Sequence, residues 1–516
     1  MKNRMLAKIW REIKRPFRRY TFPRNSLHVP YLTVYHKAKS WIERYSIPGG
    51  GIAVSSSVQK SYPEVTGYFI PPLLDWGMKD RALRYAHWLT TIQNEDGSWN
   101  DPDGKSPYIF DTGQILRGLM TLVDEYPEFQ QPFIRGCEWI QSRQLESGRI
   151  PTPDESMWSG IVPEAIHLYA LVPLLTAAEK FNRPDLKTVV EKALTYYVNE
   201  QKDFRYNCLS HFHAYMIDGL IELGQEDLAR NAMKEIAALQ RKDGSVPGFP
   251  GQSGVCSTGL FQYAIIWYKL GEMDRADRAF EYACSLQNPS GGWFGSYGKC
   301  NGYFTTAEIA WAVKYFLDAF HLKLRCNFDA IFDSFLLSLP ENDGRFQLVR
   351  DNVPAFDGAK VLDCGCGKGR YVNRLVKEFP HLNFHAIDLS PVSHRFLESG
   401  ITKGIGSVLR TGFPDNFFDF VYLSEVMEHA VDLDTAVAEL IRIVKPGGKL
   451  LIIDKNLDRQ GVLELCPWEQ WFDTEQFKRL LIDHGGEVKI VRNIPYEKKD
   501  GSDGLFLGWI ATKTCP

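Results

Sequence analysis

The stretch VLDCGCGKGR, residues 361–370, decides the fold of the C-terminal part of the chain. An apolar run ends at Asp363, and glycines then follow at positions 365, 367 and 369. The spacing lacks the GxxxxGK(S/T) pattern of a phosphate-binding loop. It also differs from GxGxxG, in which the last glycine comes one residue later. The loop alone therefore leaves its ligand open, and the residues around it must decide.

Short β-like runs alternate with helical runs from residue 359 onward, which predicts a doubly wound α/β domain with a Rossmann-like sheet. Strands are predicted at 359–363, 383–388, 417–424, 445–454, 487–493 and 505–511. Helices are predicted at 371–379, 392–399, 433–444 and 474–485. We assign this domain to residues 326–516.

Further motifs follow the glycine loop in a fixed order. Asp388 lies 25 residues after Asp363, at the end of the second predicted strand, where an acid can accept both hydroxyls of a ribose. GFPDNFFDFVYLSEVMEH (412–429) and IRIVKPGGKLLI (441–452) come next. Taken together, residues 326–516 resemble the class I S-adenosylmethionine-dependent methyltransferases.

This resemblance implies a cofactor site for S-adenosylmethionine. Glycines of the loop let the backbone approach the methionine part, and Asp363 lies beneath its amino group. Asp388 holds the ribose. One departure concerns Ser407, which stands where many relatives have an acid that reaches the adenine amino group, so we expect adenine to be held less specifically or by backbone. The implied cofactor residues are Asp363, Gly365, Gly367, Asp388, Leu389, Ser407, Leu423 and Ser424.

The segment after the fourth predicted strand bears on the methyl acceptor. Nucleic-acid base methyltransferases usually carry an Asn- or Asp-Pro-Pro aromatic loop there, and this chain does not. Glu425, Glu428 and His429 instead resemble the ExxEH segment of ubiquinone-pathway and small-RNA 2′-O-methyltransferases. His429 is then a base or a substrate-orienting residue. Two alternatives stay open, a divalent metal bound by these three residues and a purely structural role.

The first 325 residues contain an internal repeat. A glutamine precedes a glycine by four residues in QNEDG, QLESG, QRKDG and QNPSG. WIERYSIPGG (41–50) and the degenerate YYVNEQKDFRYN (196–207) add two units, which makes six with a period of about 48 residues. The paired positions are Gln93 and Gly97, Gln144 and Gly148, Gln240 and Gly244, and Gln287 and Gly291.

Each repeat also contains an apolar helical stretch after its glycine, so each unit is predicted to be a helical hairpin. Six hairpins over residues 35–325 predict an all-α (α/α)6 toroid. This arrangement is similar to the toroids of six-hairpin glycosidases, polysaccharide lyases and terpenoid cyclases. The DxDD acid of squalene-type cyclases is absent, which argues against polyene chemistry.

The starts of the inner helices in such a toroid line one mouth. Carboxylates, imidazoles and phenols gathered there suit sugar binding, or acid/base work on a glycan. The alternative is that the polar groups cap helices and the aromatic groups form core. A metal on His211 and His213 is not favoured, because two ligands are too few. The residues expected at this mouth are Tyr62, Glu64, Asp111, Gln114, Glu164, His167, His211, His213 and Tyr215.

Composition and the N-terminus bound the cellular context. The net charge of −3 does not favour nucleic acid, and ten cysteines without a CxxC pair suggest reduced thiols in the cytoplasm. No apolar run is long enough to span a membrane. Residues 1–24, within a separate segment 1–34, are basic and amphipathic, which allows peripheral contact with the inner face of a membrane. A helix packed on its own domain is the alternative.

The sequence therefore predicts a methyltransferase that O-methylates a sugar hydroxyl in a polysaccharide or lipid-linked glycan, which the toroid grips. One alternative is a bifunctional enzyme whose toroid is a lyase, epimerase or hydrolase. Another is a toroid that serves as a scaffold for a protein partner. Trp468 and Trp471 are candidates for stacking on a sugar, although Trp471 could equally belong to the core, with Thr474 as a helix cap.

Overall fold

The computed structural model describes residues 30–152, 162–332, 337–340, 342–460, 469–495 and 504–515. A helical region comes first, and an α/β region with a seven-stranded sheet follows it. The basic segment 1–24 and Trp468 lie outside the described residues. Among the helices that are described, none is both long enough and apolar enough to cross a bilayer.

The helical region is built from inner and outer helices. The inner helices are buried on almost every face. In the inner helix α11 (Ser257–Lys269), all residues from Ser257 to Tyr268 are buried, whereas the outer helix α3 (Lys79–Thr91) has only four buried residues. The inner helices are α2 (Pro63–Asp75), α4 (Ile109–Leu119), α6 (His167–Ala170), α9 (Ser210–Glu222), α11 (Ser257–Lys269) and α13 (Ala310–Ile331). The outer helices are α1 (Pro30–Tyr45), α3 (Lys79–Thr91), α5 (Gln130–Ser142), α8 (Pro184–Leu194), α10 (Glu226–Leu239) and α12 (Met273–Ser285).

The inner helices contact one another in a closed ring. Each contacts the next in chain order, and α13 contacts α2. The third hairpin is irregular, because α6 is a single turn and its chain continues as α7 (Val172–Lys180) after a break at Leu171. We call helices α1 to α13 the helical ring.

The repeated glutamines hold neighbouring outer helices together. The Nε2 group of Gln93 donates to Gly97 O of its own turn at 2.9 Å and to Pro132 O of α5 at 2.8 Å. Gln144 and Gln240 bond in the same way to α8 and α12. Gln287 donates to Val34 O of α1 at 2.9 Å, so the last repeat bonds to the first helix.

The glycines of the repeat leave room for this contact. Gly291 has φ +102°, and a Cβ there would lie 2.1 Å from Lys37 O of α1. Gly97, Gly148 and Gly244 face the backbone of the next outer helix at similar distances. Only glycine combines this backbone conformation with such a close approach, which explains the repeated spacing.

The α/β region contains one twisted sheet in the order β10-β11-β9-β8-β5-β6-β7. Strands β5 to β9 are parallel, and β10 and β11 are antiparallel additions. This confirms the predicted Rossmann-like sheet. The strands are β5 (Lys360–Cys364), β6 (Asn383–Asp388), β7 (Ile401–Ile405), β8 (Phe418–Ser424), β9 (Val444–Lys455), β10 (Gly486–Ile494) and β11 (Phe506–Lys513).

Four helices accompany the sheet, and two short hairpins accompany the ring. The helices are α14 (Gly344–Arg350), α15 (Val372–Glu378), α16 (Leu433–Ile443) and α17 (Thr474–Asp483). The hairpins pair β1 (Ala53–Ser55) with β2 (Val58–Ser61), and β3 (Val255–Cys256) with β4 (Ser296–Tyr297).

Two local predictions differ from the structure, and one strand was not predicted. The predicted helix at 392–399 is a 3-10 turn over Pro391–Arg395, and the predicted cap Thr474 yields to Asp473, whose side chain accepts from two backbone amides. Strand β7 was not predicted, because its sequence ITKGI is polar and carries a glycine. The domain boundaries at 34/35 and 325/326 stay predictions, and they lie within α1 and α13.

The ring and the α/β region share an interface. Arg410 Nη1 lies 3.1 Å from Asp75 Oδ1 at the end of α2, and Lys39 of α1 forms an ion pair with Asp432. The C-terminal ends of inner helices α2 and α13 therefore face the α/β region, while their N-terminal ends point away from it.

Candidate functional site

The glycine loop sits where the carboxyl ends of β5, β6 and β8 meet. The amides of Gly365 and Cys366 both donate to Ile387 O, at 2.8 and 3.0 Å. These bonds fix the loop against the end of β6. A Cβ at Gly365, where φ is +81°, would lie 2.5 Å from Val426 Cγ2, so this position requires glycine.

Asp388 is oriented by backbone amides. Its Oδ2 accepts from Gly367 N at 2.8 Å, and its Oδ1 accepts from Ser390 N at 2.9 Å. Burial raises the pKa of this carboxyl. A carboxylate held in this way at the end of the second parallel strand can accept the two hydroxyls of a ribose, and this role stays a prediction for Asp388.

Asp363 is a buried residue whose carboxyl group is incompletely hydrogen-bonded. It is almost fully buried, its Oδ2 makes no hydrogen bond among the described residues, and burial raises its pKa to about 7. A cationic group beside it would favour the ionised form. The residues present therefore fit S-adenosylmethionine, with Asp363 toward the ammonium and Asp388 toward the ribose.

Four other predicted cofactor residues differ in their burial and in their hydrogen-bond partners. Leu423 is fully buried in the core, so only its backbone can border a ligand. Ser424 Oγ shares a hydrogen bond of 3.1 Å with Tyr371 Oη. Ser407 Oγ accepts from Leu409 N and Arg410 N in its own turn. Leu389 is half-buried after β6.

Glu425 is turned toward arginines. It has φ +61°, and its Oε1 accepts from Arg345 Nη1 at 2.6 Å and from Arg370 Nη2 at 2.8 Å. Burial works to raise the pKa of Glu425, but the two positive charges outweigh it and lower the pKa. Arg345 also forms a bidentate pair with Asp343. The sequence reasoning missed Arg345 and Arg370, since only the fold brings them to Glu425.

Glu428 and His429 lie on the next turn. Glu428 is buried and bonded to Lys455, and burial together with the charge of Asp454 raises its pKa well above the usual range. The side chain of His429 is 23% exposed, with Nε2 3.5 Å from Glu428 Oε1. His429 Nδ1 has no hydrogen-bond partner among the described residues, and burial lowers the pKa of the imidazole to about 4.

The three residues Glu425, Glu428 and His429 do not fit a divalent metal. Glu425 faces two arginines and Glu428 faces Lys455, so the two carboxylates are neutralised by different cations. Across the described part of the chain, no group of three or more His, Cys, Asp or Glu residues is placed to hold an ion. Trp471 is buried and donates to Glu469 at 2.6 Å, as its core alternative requires.

The helical ring encloses a cavity of about 340 Å³ at the N-terminal ends of its inner helices. We call this cavity the bowl. Six residues predicted for the mouth line it, namely Tyr62, Glu64, Asp111, His167, His211 and Tyr215. Aromatic residues that were not predicted contribute much of the remaining wall, namely Tyr68, Tyr108, Phe110, Phe212, Tyr303, Phe304 and Trp311.

Three predicted residues do not line the bowl. Glu164 is bonded by Arg149 at 2.9 and 3.0 Å, and His213 contacts Tyr263 Oη and Phe204 O. Gln114 is fully buried in the ring. Their side chains are occupied by, or packed within, the ring itself, so these three predictions are corrected.

The carboxyl groups of the bowl are not helix caps. The residues that cap α2 and α4 are Tyr62 and Tyr108, and neither makes a side-chain capping bond. Burial, and then the charge of Asp111, raises the pKa of Glu64 well above its usual range. Burial raises the pKa of Asp111 to about 7. The bowl thus presents two carboxyls with raised pKa values among aromatic rings.

Comparison with known proteins places the α/β region. Residues 362–452 match the family model described as a methyltransferase domain. The chain is 34% identical over 100 residues to a sterol 24-C-methyltransferase of Gibberella zeae, which covers 18% of this chain and 26% of that enzyme. It is 30% identical over 170 residues to the chloroplastic tocopherol O-methyltransferase of Arabidopsis thaliana, which covers 28% and 48% respectively.

Solved structures match a similarly limited share of this chain. A phosphoethanolamine N-methyltransferase of Haemonchus contortus has 19% identity and a TM-score of 0.29, and the match covers 36% of this chain and 56% of that one. The chain spans about a quarter to a half of the length of the curated relatives named here. The C-terminal region carries a class I S-adenosylmethionine-dependent methyltransferase domain.

Proposed function

We propose that the protein transfers a methyl group from S-adenosylmethionine to an acceptor bound beside His429. The observation that carries this proposal is the cradle of Asp388 and the glycine loop, next to Asp363, whose Oδ2 has no hydrogen-bond partner in the described part of the chain. The bound cofactor supplies an electrophilic methyl group on its sulfonium. The protein aligns donor and acceptor for in-line displacement, and it does so by positioning.

His429 is the proposed base for an acceptor hydroxyl. Its low pKa keeps the imidazole neutral at physiological pH but also makes it a weak base, so it accepts the hydroxyl proton only as the carbon–oxygen bond forms and that proton becomes acidic. Nδ1 is buried and has no hydrogen-bond partner among the described residues, so an acceptor O–H bound against the ring would satisfy it. As the new carbon–oxygen bond forms, the hydroxyl proton moves to His429, and solvent then removes it. These features favour O-methylation.

Replacing His429 with glutamine is expected to lower kcat about 100-fold, while the affinity for S-adenosylhomocysteine stays within about twofold. Since the imidazole titrates near pH 4, we expect no loss of wild-type rate between pH 8 and pH 6. The measurement is kcat with an acceptor identified by mass-shift screening. His381→Gln, at an exposed site, is the control. Unchanged kcat in His429→Gln would contradict the role of His429 as base.

We propose that the acceptor is a sugar hydroxyl of a polysaccharide or lipid-linked glycan, and that residues 35–325 form an (α/α)6 toroid that grips it. The aromatic rings and carboxyls of the bowl support sugar binding. The basic segment 1–24 extends the proposal to the cytoplasmic face of a membrane. The named relatives act on a sterol and a tocopherol, so apolar ring compounds are the competing acceptors in the same mass-shift screen.

If one acceptor occupies both sites, the distance between them requires that acceptor to be extended. Trp311 lines the bowl near the start of α13, and Phe328 contacts His429 near its end. These residues are 17 positions apart on one helix, which corresponds to about 25 Å. A single sugar held in the bowl therefore stays far from the methyl group, whereas a long chain can occupy both sites.

The second candidate is chemistry in the bowl itself. Two carboxyls in one cavity, both with raised pKa values, are residues of the kind that general acid/base catalysis on a glycan uses. In that case Glu64→Gln and Asp111→Asn should each abolish sugar turnover, measured by product analysis, and leave S-adenosylhomocysteine affinity unchanged. Sugar turnover that persists in both variants would exclude this candidate.

A further inference from the structure

Helix α13 belongs to both parts of the molecule. Its first turns close the helical ring against α2, and its last turns reach the edge of the sheet where the cofactor loop lies. Phe328 packs edge-on against His429 with ring centroids 5.3 Å apart. Phe332, just beyond the helix, packs against Phe396 at 5.6 Å. The end of α13 thus contacts two segments of the α/β region, the one that follows β8 and the one that follows β6.

Between these two aromatic contacts, Asp329 reaches the loop that carries the ribose carboxylate. Ser390 Oγ donates to Asp329 Oδ1 at 2.5 Å. The amide of the same serine donates to Asp388 Oδ1, and the other oxygen of Asp388 accepts from Gly367 N. One chain of hydrogen bonds therefore runs from the helical ring, through Ser390, to the ribose carboxylate and the glycine loop.

The surroundings of Ser390 make this contact specific. Ser390 is fully buried, and its Oγ also accepts from Val392 N, which fixes the following 3-10 turn. Without Asp329, the buried hydroxyl loses its charged acceptor, and the orientation of the Ser390 amide toward Asp388 is less constrained. A carboxylate outside residues 362–452, which match the methyltransferase domain, thus supports the cofactor edge.

We propose that Asp329 is a positioning residue of the cofactor site, so that the helical ring completes the site through α13. This inference rests on the proposed binding of S-adenosylmethionine. Asp329 acts through Ser390 on Asp388 and does not itself contact the cofactor. The affinity of the α/β region for its cofactor then depends on the docking of the ring, and the two parts function as one unit.

Calorimetric titration of S-adenosylhomocysteine into the full-length chain tests this inference. Asp329→Ala is expected to weaken binding about tenfold, and Ser390→Ala by a similar factor. The double variant should bind no more weakly than either single one, because both remove the same link. Asp329→Asn should stay within about threefold of wild type, since its amide oxygen can accept the same hydrogen bond.

The control is Lys39→Ala, which removes the ion pair with Asp432 at the same interface. Its affinity should equal that of wild type. Equal losses in Lys39→Ala and Asp329→Ala, additive losses in the double variant, or wild-type affinity in Asp329→Ala would each overturn the inference. If Asp329→Ala does not fold, Ser390→Ala and Asp329→Asn carry the comparison. No binding by wild type would instead overturn the proposed function on which the inference rests.

Discussion

Asp388→Ala is expected to lower the affinity for S-adenosylmethionine and S-adenosylhomocysteine at least about 100-fold. The carboxylate is held by two backbone amides, so it is positioned before the ligand arrives. Removing it leaves two ribose hydroxyls without their charged acceptor, and each such hydrogen bond contributes about 1.5–3 kcal/mol. Calorimetric titration of both ligands into the full-length chain measures this loss directly.

Asp357→Ala is the matched control, because Asp357 is an exposed aspartate just before β5. It should bind both ligands as wild type does. Asp388→Asn should fall between wild type and the alanine variant, since it keeps one acceptor oxygen and loses the charge. Micromolar binding in Asp388→Ala equal to wild type would contradict the assignment of the ribose site.

Gly291→Ala is expected to destabilise the helical ring by about 3 kcal/mol or more. Its Cβ would lie 2.1 Å from the backbone oxygen of Lys37, so α1 must move away from the last repeat. That movement also breaks the hydrogen bond from Gln287 to Val34. The measurement is the urea midpoint of the unfolding transition of the ring, followed by circular dichroism of the helices.

Gly224→Ala separates the two contributions to this loss. Gly224 also has a positive φ, +76°, but a Cβ there meets no atom within 4 Å. It should cost only the conformational penalty of about 1 kcal/mol. Equal midpoints for the two variants would show that the close approach of Gly291 to α1 contributes nothing.

Features encoded locally were predictable from the sequence. The glycine loop and Asp388 are set by strand ends and a short spacing, and both occupy the expected places. Strand β7 was not predicted because it is a short edge strand with exposed polar residues. It forms a strand by pairing with β6. The pairing of Arg345 with Glu425 joins residues 80 positions apart, so no local pattern indicates it.

The residues of the bowl also divide into some that were predicted correctly and some that were not. Glu64 and Asp111 were expected together because they start equivalent inner helices, and they line one cavity. His211 and His213 were expected together as well, but residues two apart on a helix point about 200° from one another. His211 therefore faces the bowl, and His213 faces Tyr263. The rotation of about 100° per residue in a helix therefore admits only one of the two histidines to the bowl.

The hydrogen bond between Gln287 and Val34 also determines how late in synthesis the ring can close. Its two residues are 253 positions apart, so a ribosome that adds about 5–20 residues each second needs roughly 10–50 s between them. Until α12 has been made, Tyr31 of α1 lacks its aromatic partner Phe280 on that helix. The ring is complete only when α13, which ends at Ile331, has also been made, so each nascent chain carries an open ring until translation of the α/β region begins.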